Sequence, residues 1–172
     1  MYQLGCEAVL SSCLCLVLGV VKLTVNIMPG TGDFEVVDNG SLVVSGRISA
    51  PNEPVLEVPV YDRPAPADSS LLKLTTADIY KELRLRGYDY GPTFQGILTA
   101  SNDGQEGYLK WNNNWVSFLD TMLQIQILSL PGTGLRLPTR IKSLRIDPSA
   151  HAERVTNIDS QRQGNFLCTF QK

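Results

Sequence analysis

Between Trp115 and Leu128 the chain reads WVSFLDTMLQIQIL, with no Gly or Pro and apolar residues on most sides. A surface helix carries one apolar stripe, whereas a helix apolar nearly all round must be enclosed by its fold. The rest of the chain therefore has to supply elements that wrap this one, and Asn112 to Asn114 offer its N-cap. The wrapping material reads as strands. VVKLTVNIMP alternates, Lys22, Thr24 and Asn26 on one side and Leu23, Val25 and Ile27 on the other. Gly30 to Gly32 punctuate, FEVV follows, Asp38-Asn39-Gly40 signals a tight turn, and SLVVSGRIS returns. ILTASN and GYLKW read as two strands joined across Asp103-Gly104, LPTRIKSLRI as another, and NFLCTF as a last run. The pattern predicts an α+β fold with antiparallel strands.

Five prolines (Pro51, Pro54, Pro59, Pro64 and Pro66) crowd the stretch 51–70 and predict an extended connector, hence a lobe boundary. A helix follows, capped by Thr75 or Thr76, with Asp78 in its positive first turn and Gly87 at its C-terminal cap. Ile79, Leu83 and, less regularly, Leu85 supply its apolar side, with Lys81, Glu82, Arg84 and Arg86 towards water. Hydrophobic residues at 43% and charged residues at 19% suit a globular chain and not a disordered one. A net charge of -2 without basic runs argues against nucleic acid as a partner. Cys6, Cys13, Cys15 and Cys168 form no CxxC pair beside a histidine, so no metal site is expected. The apolar run Ala8 to Val21 falls short of the ~20 residues of a membrane span, and Glu7 upstream has the wrong sign for a signal peptide. A buried strand or a faulty chain start is favoured there over a signal or anchor, with a small secreted or anchored protein as the remoter rival.

Two places carry candidate chemistry. Asp120 sits among Phe118, Leu119, Met122 and Leu123, and Gln124 projects one helical turn further along the same face. A carboxyl in an apolar cleft has its charged form disfavoured, which would keep it protonated and able to act as a general acid. The alternative is a polar stripe of Ser117, Asp120, Thr121 and Gln124 that simply faces solvent. In GYDYGPTFQG, Gly87, Gly91 and Gly96 permit unusual backbone angles, and Tyr88, Tyr90 and Phe94 offer apolar area with two hydroxyls. Lining for an acyl tunnel and a merely packed turn are equally open readings of it. His151, the only histidine, follows DPSA and is expected in an exposed loop. Neither a GxSxG elbow nor a phosphate-binding glycine loop is present.

ADIYKELRLRGYDYGPTFQGI, NNWVSFLDTMLQIQIL and LRLPTRIKSLRIDPSAH together resemble the dehydratase domain of animal fatty acid synthase, a domain shared with polyketide synthases. The YGPxFQG loop and the DxxxQ helix are the specific elements, and FEVVDNGSLVVSGRI resembles the end of that domain's first half. The resemblance implies a double hot-dog fold, each lobe a curled antiparallel sheet round a central helix. On that basis residues 1–18 are an unmatched apolar N-terminus, 19–50 the last strands of the first lobe, 51–72 the linker, and 73–172 the second lobe, incomplete at its C-terminus. It implies elimination of water from 3-hydroxyacyl chains carried on the phosphopantetheine of acyl carrier protein, with no directly bound cofactor. Asp120 would be the acid and Gln124 its neighbour, while Tyr90, Gly91, Pro92, Phe94, Leu137 and Pro138 would line the substrate. Acyl carrier protein and other synthase domains would be the partners, in a cytoplasmic and homodimeric parent. The family's catalytic histidine lies in an HxxxGxxxxP motif that this chain lacks. The chain alone is therefore expected to be inactive, or a non-catalytic hot-dog module that binds acyl chains or supports the synthase.

Overall fold

A computed structural model describes residues 22–50, 52 and 73–159, with strands at Tyr2–Gly5 and Asn165–Thr169. The chain divides into two compact units. One comprises Met1–Tyr61 and Leu137–Ala152, the other Asp62–Arg136 and Glu153–Lys172.

The first unit is a five-stranded antiparallel sheet. Its strands are β1 (Tyr2–Gly5), β2 (Leu23–Met28), β3 (Asp33–Asp38), β4 (Ser41–Ser49) and, after the second unit has intervened, a short late strand at Leu144–Ile146, β8 in chain order. Their order across the sheet is β2-β3-β4-β1-β8. Asn39 and Gly40, both at positive φ, close the expected tight turn between β3 and β4. Register aligns Ile27 with Phe34 and Gly46, and Val25 with Val36 and Val44, whereas Asn26 aligns with Glu35 and Ser45. One face is thus apolar and the other polar, as the alternation of the sequence requires. Arg47 and Asp33 add a two-pronged bridge, at 2.7 and 3.3 Å. The guanidinium holds the Asp33 carboxyl below the usual carboxylate range. Yet Leu23, Val25 and Ile27 remain 51%, 59% and 62% exposed, and no described residue of this unit is buried.

The second unit holds the core. Its four-stranded antiparallel sheet runs β5 (Lys73–Thr75), β6 (Ile97–Ser101), β7 (Glu106–Lys110) and β9 (Asn165–Thr169) in spatial order. Against it pack helices α1 (Thr76–Leu85) and α2 (Trp115–Ser129). Buried Ile79, Leu83, Ile97, Leu109, Phe118, Ile125 and Leu128 come from both helices and both central strands. α1 begins with a capping box: Asp78 N–H donates to the Thr75 hydroxyl at 3.4 Å, and Thr75 N–H donates to the Asp78 carboxylate at 3.0 Å. It ends in a Schellman turn in which Tyr88 N–H donates to Leu83 and Gly87 N–H to Arg84, with Gly87 at φ +95°. On two counts α1 differs from expectation. Leu85 is 71% exposed and Tyr80 takes the third buried place. Arg86 turns inward and donates to the carbonyls of Ile127 (2.8 Å) and Leu130 (3.0 Å), capping the C-terminus of α2. The last carbonyls of a helix attract a cation, and that outcompetes water for this guanidinium.

Three glycines let the sheet close on α2. A Cβ at Gly96 would lie 2.6 Å from Thr121 Oγ1, one at Gly107 2.6 Å from Ile125 Cδ1, and one at Gly104 2.7 Å from Ser129 N. Thr121, Ile125 and Ser129 are four residues apart, so the glycines follow one stripe of the helix. This close approach, more than unusual backbone angles, explains Gly96.

Two further differences concern the end of the chain. LPTRIKSLRI forms a strand only at Leu144–Ile146, the residues that pair with β1. The following segment is helical: α3 spans Pro148–Asp159 and places His151 in its first turns, half-buried, instead of in an exposed loop. Asp147 is the overlooked signal, its Oδ1 accepting from Ser149 and Ala150 N–H at 3.1 Å with Pro148 at the first helical position. The apolar run Ala8 to Val21 and the proline-rich stretch, Asn52 apart, lie outside the described residues, as do the side chains of all four cysteines. Among the described residues no helix is long and apolar enough to cross a membrane.

Candidate active site

The capping of α2 sets where its polar side chains point. Asn114 Oδ1 accepts from Val116 N–H (2.9 Å) and Ser117 N–H (3.2 Å), which starts the helix at Trp115. Trp111, Trp115 and Phe118 pack edge-to-face around this first turn, with ring centroids 5.0 to 6.1 Å apart. With the glycine stripe fixing one side of the helix, Asp120 and Gln124 fall on the flank beside the loop that links α1 to β6. Ser117, Thr121 and Gln124 are all buried, so the reading of a solvent-facing polar stripe does not hold. Asp120 is half-buried, neither enclosed in an apolar cleft nor free in water.

Gln124 is fully buried and each of its amide atoms is engaged. Its Oε1 accepts from the Tyr80 hydroxyl at 2.9 Å. Its Nε2 donates to the Phe94 carbonyl at 2.8 Å and to Asp120 Oδ2 at 2.7 Å. The loop is shaped to deliver that carbonyl. Pro92–Phe94 form one turn of 3-10 helix begun by Gly91, and Gln95 Nε2 donates back to the Tyr90 carbonyl at 2.8 Å. Gly91 and Pro92 are exposed, and Gly91 has an ordinary φ of -71°. Phe94 therefore enters the site through its backbone oxygen, where its ring had been expected to matter.

Tyr90 is held by its neighbours. Its ring stacks on Tyr88, 5.9 Å away and 3° from parallel, and meets Tyr80 edge-on at 6.4 Å. Tyr88 is buried and its hydroxyl is spent on the backbone of Arg136, accepting from that N–H at 2.6 Å. Of the two hydroxyl handles in the loop, only that of Tyr90 is left to meet a ligand. Burial raises the Tyr90 phenol above its ordinary value, and the nearby Asp120 charge raises it further. Burial likewise pushes Tyr80 up to about 12, against which the N–H of Ile97 pulls down.

The structure thus gathers Asp120, Gln124, Tyr90 and Phe94. Leu137 and Pro138 are exposed and belong to the first unit, with β8 and its neighbours. Sequence reasoning missed Tyr80, 44 residues from Gln124. Its signal was faint: a tyrosine beside Ile79 on the apolar side of a short helix. A groove of about 550 Å³ lies elsewhere on this unit, lined by Lys73, Lys81, Glu82, Leu85 and Leu128 among others, and none of the gathered residues borders it. No group of three or more His, Cys, Asp or Glu side chains is placed to hold a metal among the described residues.

Solved structures share this architecture. The dehydratase domain from the CurF module of curacin polyketide synthase superposes with a TM-score of 0.55 at 17% identity, over 83% of this chain and 58% of that one. The dehydratase domain from the CurK module gives 0.54 at 16% identity, over 83% and 57%. An inactive mutant of the CurJ dehydratase gives 0.55 at 19% identity, over 83% and 56%. This chain thus spans little more than half the length of these domains. No protein-family profile matches the sequence. At such identities the likeness establishes the fold, an α+β arrangement of antiparallel sheets and few helices similar to polyketide synthase dehydratase domains.

Proposed function

We propose that the second unit is a dehydratase lobe of a fatty acid synthase-type multienzyme. It would remove water from 3-hydroxyacyl chains tethered to the phosphopantetheine of acyl carrier protein. The observation that carries this reading is the Asp120 carboxyl held at one oxygen by buried Gln124, with the Tyr90 phenol beside it. In the proposed step Asp120 gives its proton to the 3-hydroxyl as the C3–O bond breaks. The C2 proton passes to a base and the C2–H electrons form the double bond. The N–H of Gln124 stays on the carboxylate that remains, which favours that product state. Tyr90 lies near enough to feel the Asp120 carboxylate and, as a neutral phenol, would donate to the thioester or the leaving hydroxyl.

The second unit contains no histidine, since His151 belongs to the first. In this reading an imidazole from elsewhere in a larger synthase, working as a homodimer with its carrier protein, supplies the base. A positioned base contributes about 10²- to 10⁴-fold. The experiment is therefore chemical rescue: the full chain, a 3-hydroxyacyl pantetheine thioester and added imidazole. Imidazole-dependent formation of the 2-enoyl thioester is expected, falling about 10²-fold or more in Asp120→Asn. Equal rescue in Asp120→Asn would remove Asp120 from the mechanism. Thioester binding beside Tyr90 and Asp120 without rescuable turnover would favour the second reading, a non-catalytic module for acyl binding or support, which the missing histidine motivates.

A further inference from the structure

One node of the site lies outside both the loop and the α2 pair. Tyr80, on α1, is buried beneath the Tyr90 ring, and its hydroxyl joins three elements. It accepts from Ile97 N–H at the start of β6 (3.0 Å) and lies 2.9 Å from Gln124 Oε1 on α2, with the Phe94 carbonyl further off at 3.3 Å. Because the oxygen already accepts from Ile97, its own proton is free to point at Gln124. The other side of the amide faces two acceptors, the Phe94 carbonyl and Asp120 Oδ2. A flipped amide would set its oxygen against both, so a single orientation satisfies every partner.

We propose that Tyr80 is a positioning residue for Asp120, acting through Gln124. This rests on the dehydratase reading only for its consequence in catalysis; the positioning itself is a statement about geometry. The hydroxyl of Tyr80 and the carbonyl of Phe94 clamp the amide so that an Nε2–H is always directed at Asp120 Oδ2. That oxygen is then committed to accepting. Oδ1, for which no hydrogen-bond partner is shown among the described residues, is left as the oxygen that can exchange a proton with a ligand. When the C3–O bond of a substrate breaks, the proton leaves from Oδ1 and the charge left on the carboxylate meets a donor already in place. Tyr80 touches neither substrate nor the reacting atoms, yet it decides which carboxyl oxygen can act. An ordinary core tyrosine would contribute packing alone, and its ring without the hydroxyl would serve as well.

The test is Tyr80→Phe, which keeps the ring and deletes the hydroxyl, read first by NMR of the Gln124 side-chain amide in the full chain. In the native protein both Nε2 protons are expected to be shifted apart and protected from solvent exchange. In Tyr80→Phe that protection is expected to fall at least tenfold while the backbone amide of Ile125, on the same helix, keeps its own. In the imidazole-rescued reaction the variant is expected to lose at least tenfold in kcat with KM for the thioester unchanged. Unaltered Gln124 signals in Tyr80→Phe would overturn the proposal. If the variant does not fold, the native protein still decides: a resolved, exchange-protected Tyr80 hydroxyl proton with a nuclear Overhauser contact to Gln124 supports it, and a rapidly exchanging one refutes it. If the NMR result holds while Asp120→Asn leaves turnover intact, the dehydratase reading fails and the positioning stands.

Discussion

Both units of this protein are built on antiparallel sheets of alternating sequence, but among the described residues only one of them encloses a core. The five-stranded sheet presents Val25, Val36 and Val44 side by side, and no described element of its own unit packs over them. The four-stranded sheet spends Gly96, Gly104 and Gly107 on bringing its backbone against α2, and every buried apolar residue described lies in its unit. Strand propensity was equal to making either sheet. What separates them is a helix apolar enough to be swallowed and glycines placed to allow contact. Burial, and not hydrogen-bonded pairing, is the larger source of stability, so the second unit should carry nearly all of the protein's resistance to unfolding.

The sharpest way to break that comparison is a cavity. Ile125→Ala empties a fully buried position on the glycine stripe of α2 and is expected to cost about 2–5 kcal/mol in denaturant unfolding. A loss below 1 kcal/mol would mean the two units share their stability more evenly than the burial says. Next in size is Arg86→Met, which keeps the stem but removes the cations' hydrogen bonds to Ile127 and Leu130. About 1.5–3 kcal/mol is expected, because charge-assisted bonds to otherwise orphaned carbonyls are lost. Asn114→Ala removes the N-cap of the same helix and is expected to cost about 1 kcal/mol, seen as a lower Tm.

Smaller effects distinguish the units by pH and salt. Asp33 in the first unit is lowered by Arg47, and Asp78 in the second by the Thr75 side chain and backbone. A carboxyl lowered in the folded state adds stability above its ordinary value, lost as pH falls through the lowered one, so both contributions fade below about pH 4. Salt should weaken the Arg47 bridge and spare the Asp78 cap, which relies on hydrogen bonds from neutral groups. Asp33→Asn and Asp78→Asn, compared at low and high salt by thermal melts, would show this; an equal salt response would deny the distinction. The smallest change in stability is expected from Val25→Thr on the exposed sheet, within about 0.5 kcal/mol. Its visible effect should be reduced binding of a hydrophobic dye, and a large loss of stability instead would show that this face is covered in solution.

The elements that sequence disclosed best were those whose signal is local. The Asp38-Asn39-Gly40 turn, the Thr75 cap and the Gly87 terminus each depend on residues a few positions apart, and each is where it was expected. α3 escaped notice because its apolar periodicity is weak, although Asp147-Pro148 marked its start. Arg86 and Leu85 exchanged their expected environments because the helix face that meets α2 is a matter of packing and not of period. For the site, adjacency along α2 brought Asp120 and Gln124 together on paper, and the loop motif named Tyr90 and Phe94. The use of the Phe94 carbonyl and the spending of the Tyr88 hydroxyl on Arg136 were not legible, since both are contacts of backbone groups.

Sequence alone, then, determined that a near-uniformly apolar helix must be enclosed, that antiparallel strands would enclose it, and that one carboxyl and one amide would share a turn of it. These follow from periods of two and 3.6 residues and from the aversion of apolar surface to water. Only the tertiary structure decided which way that turn faces and what holds it. The orientation of Gln124 comes from Tyr80 on another helix and Phe94 on a loop, residues 44 and 30 positions away. Hydrogen bonds of buried groups are settled by whatever partners the fold brings within about 3 Å, and no spacing along the chain records that.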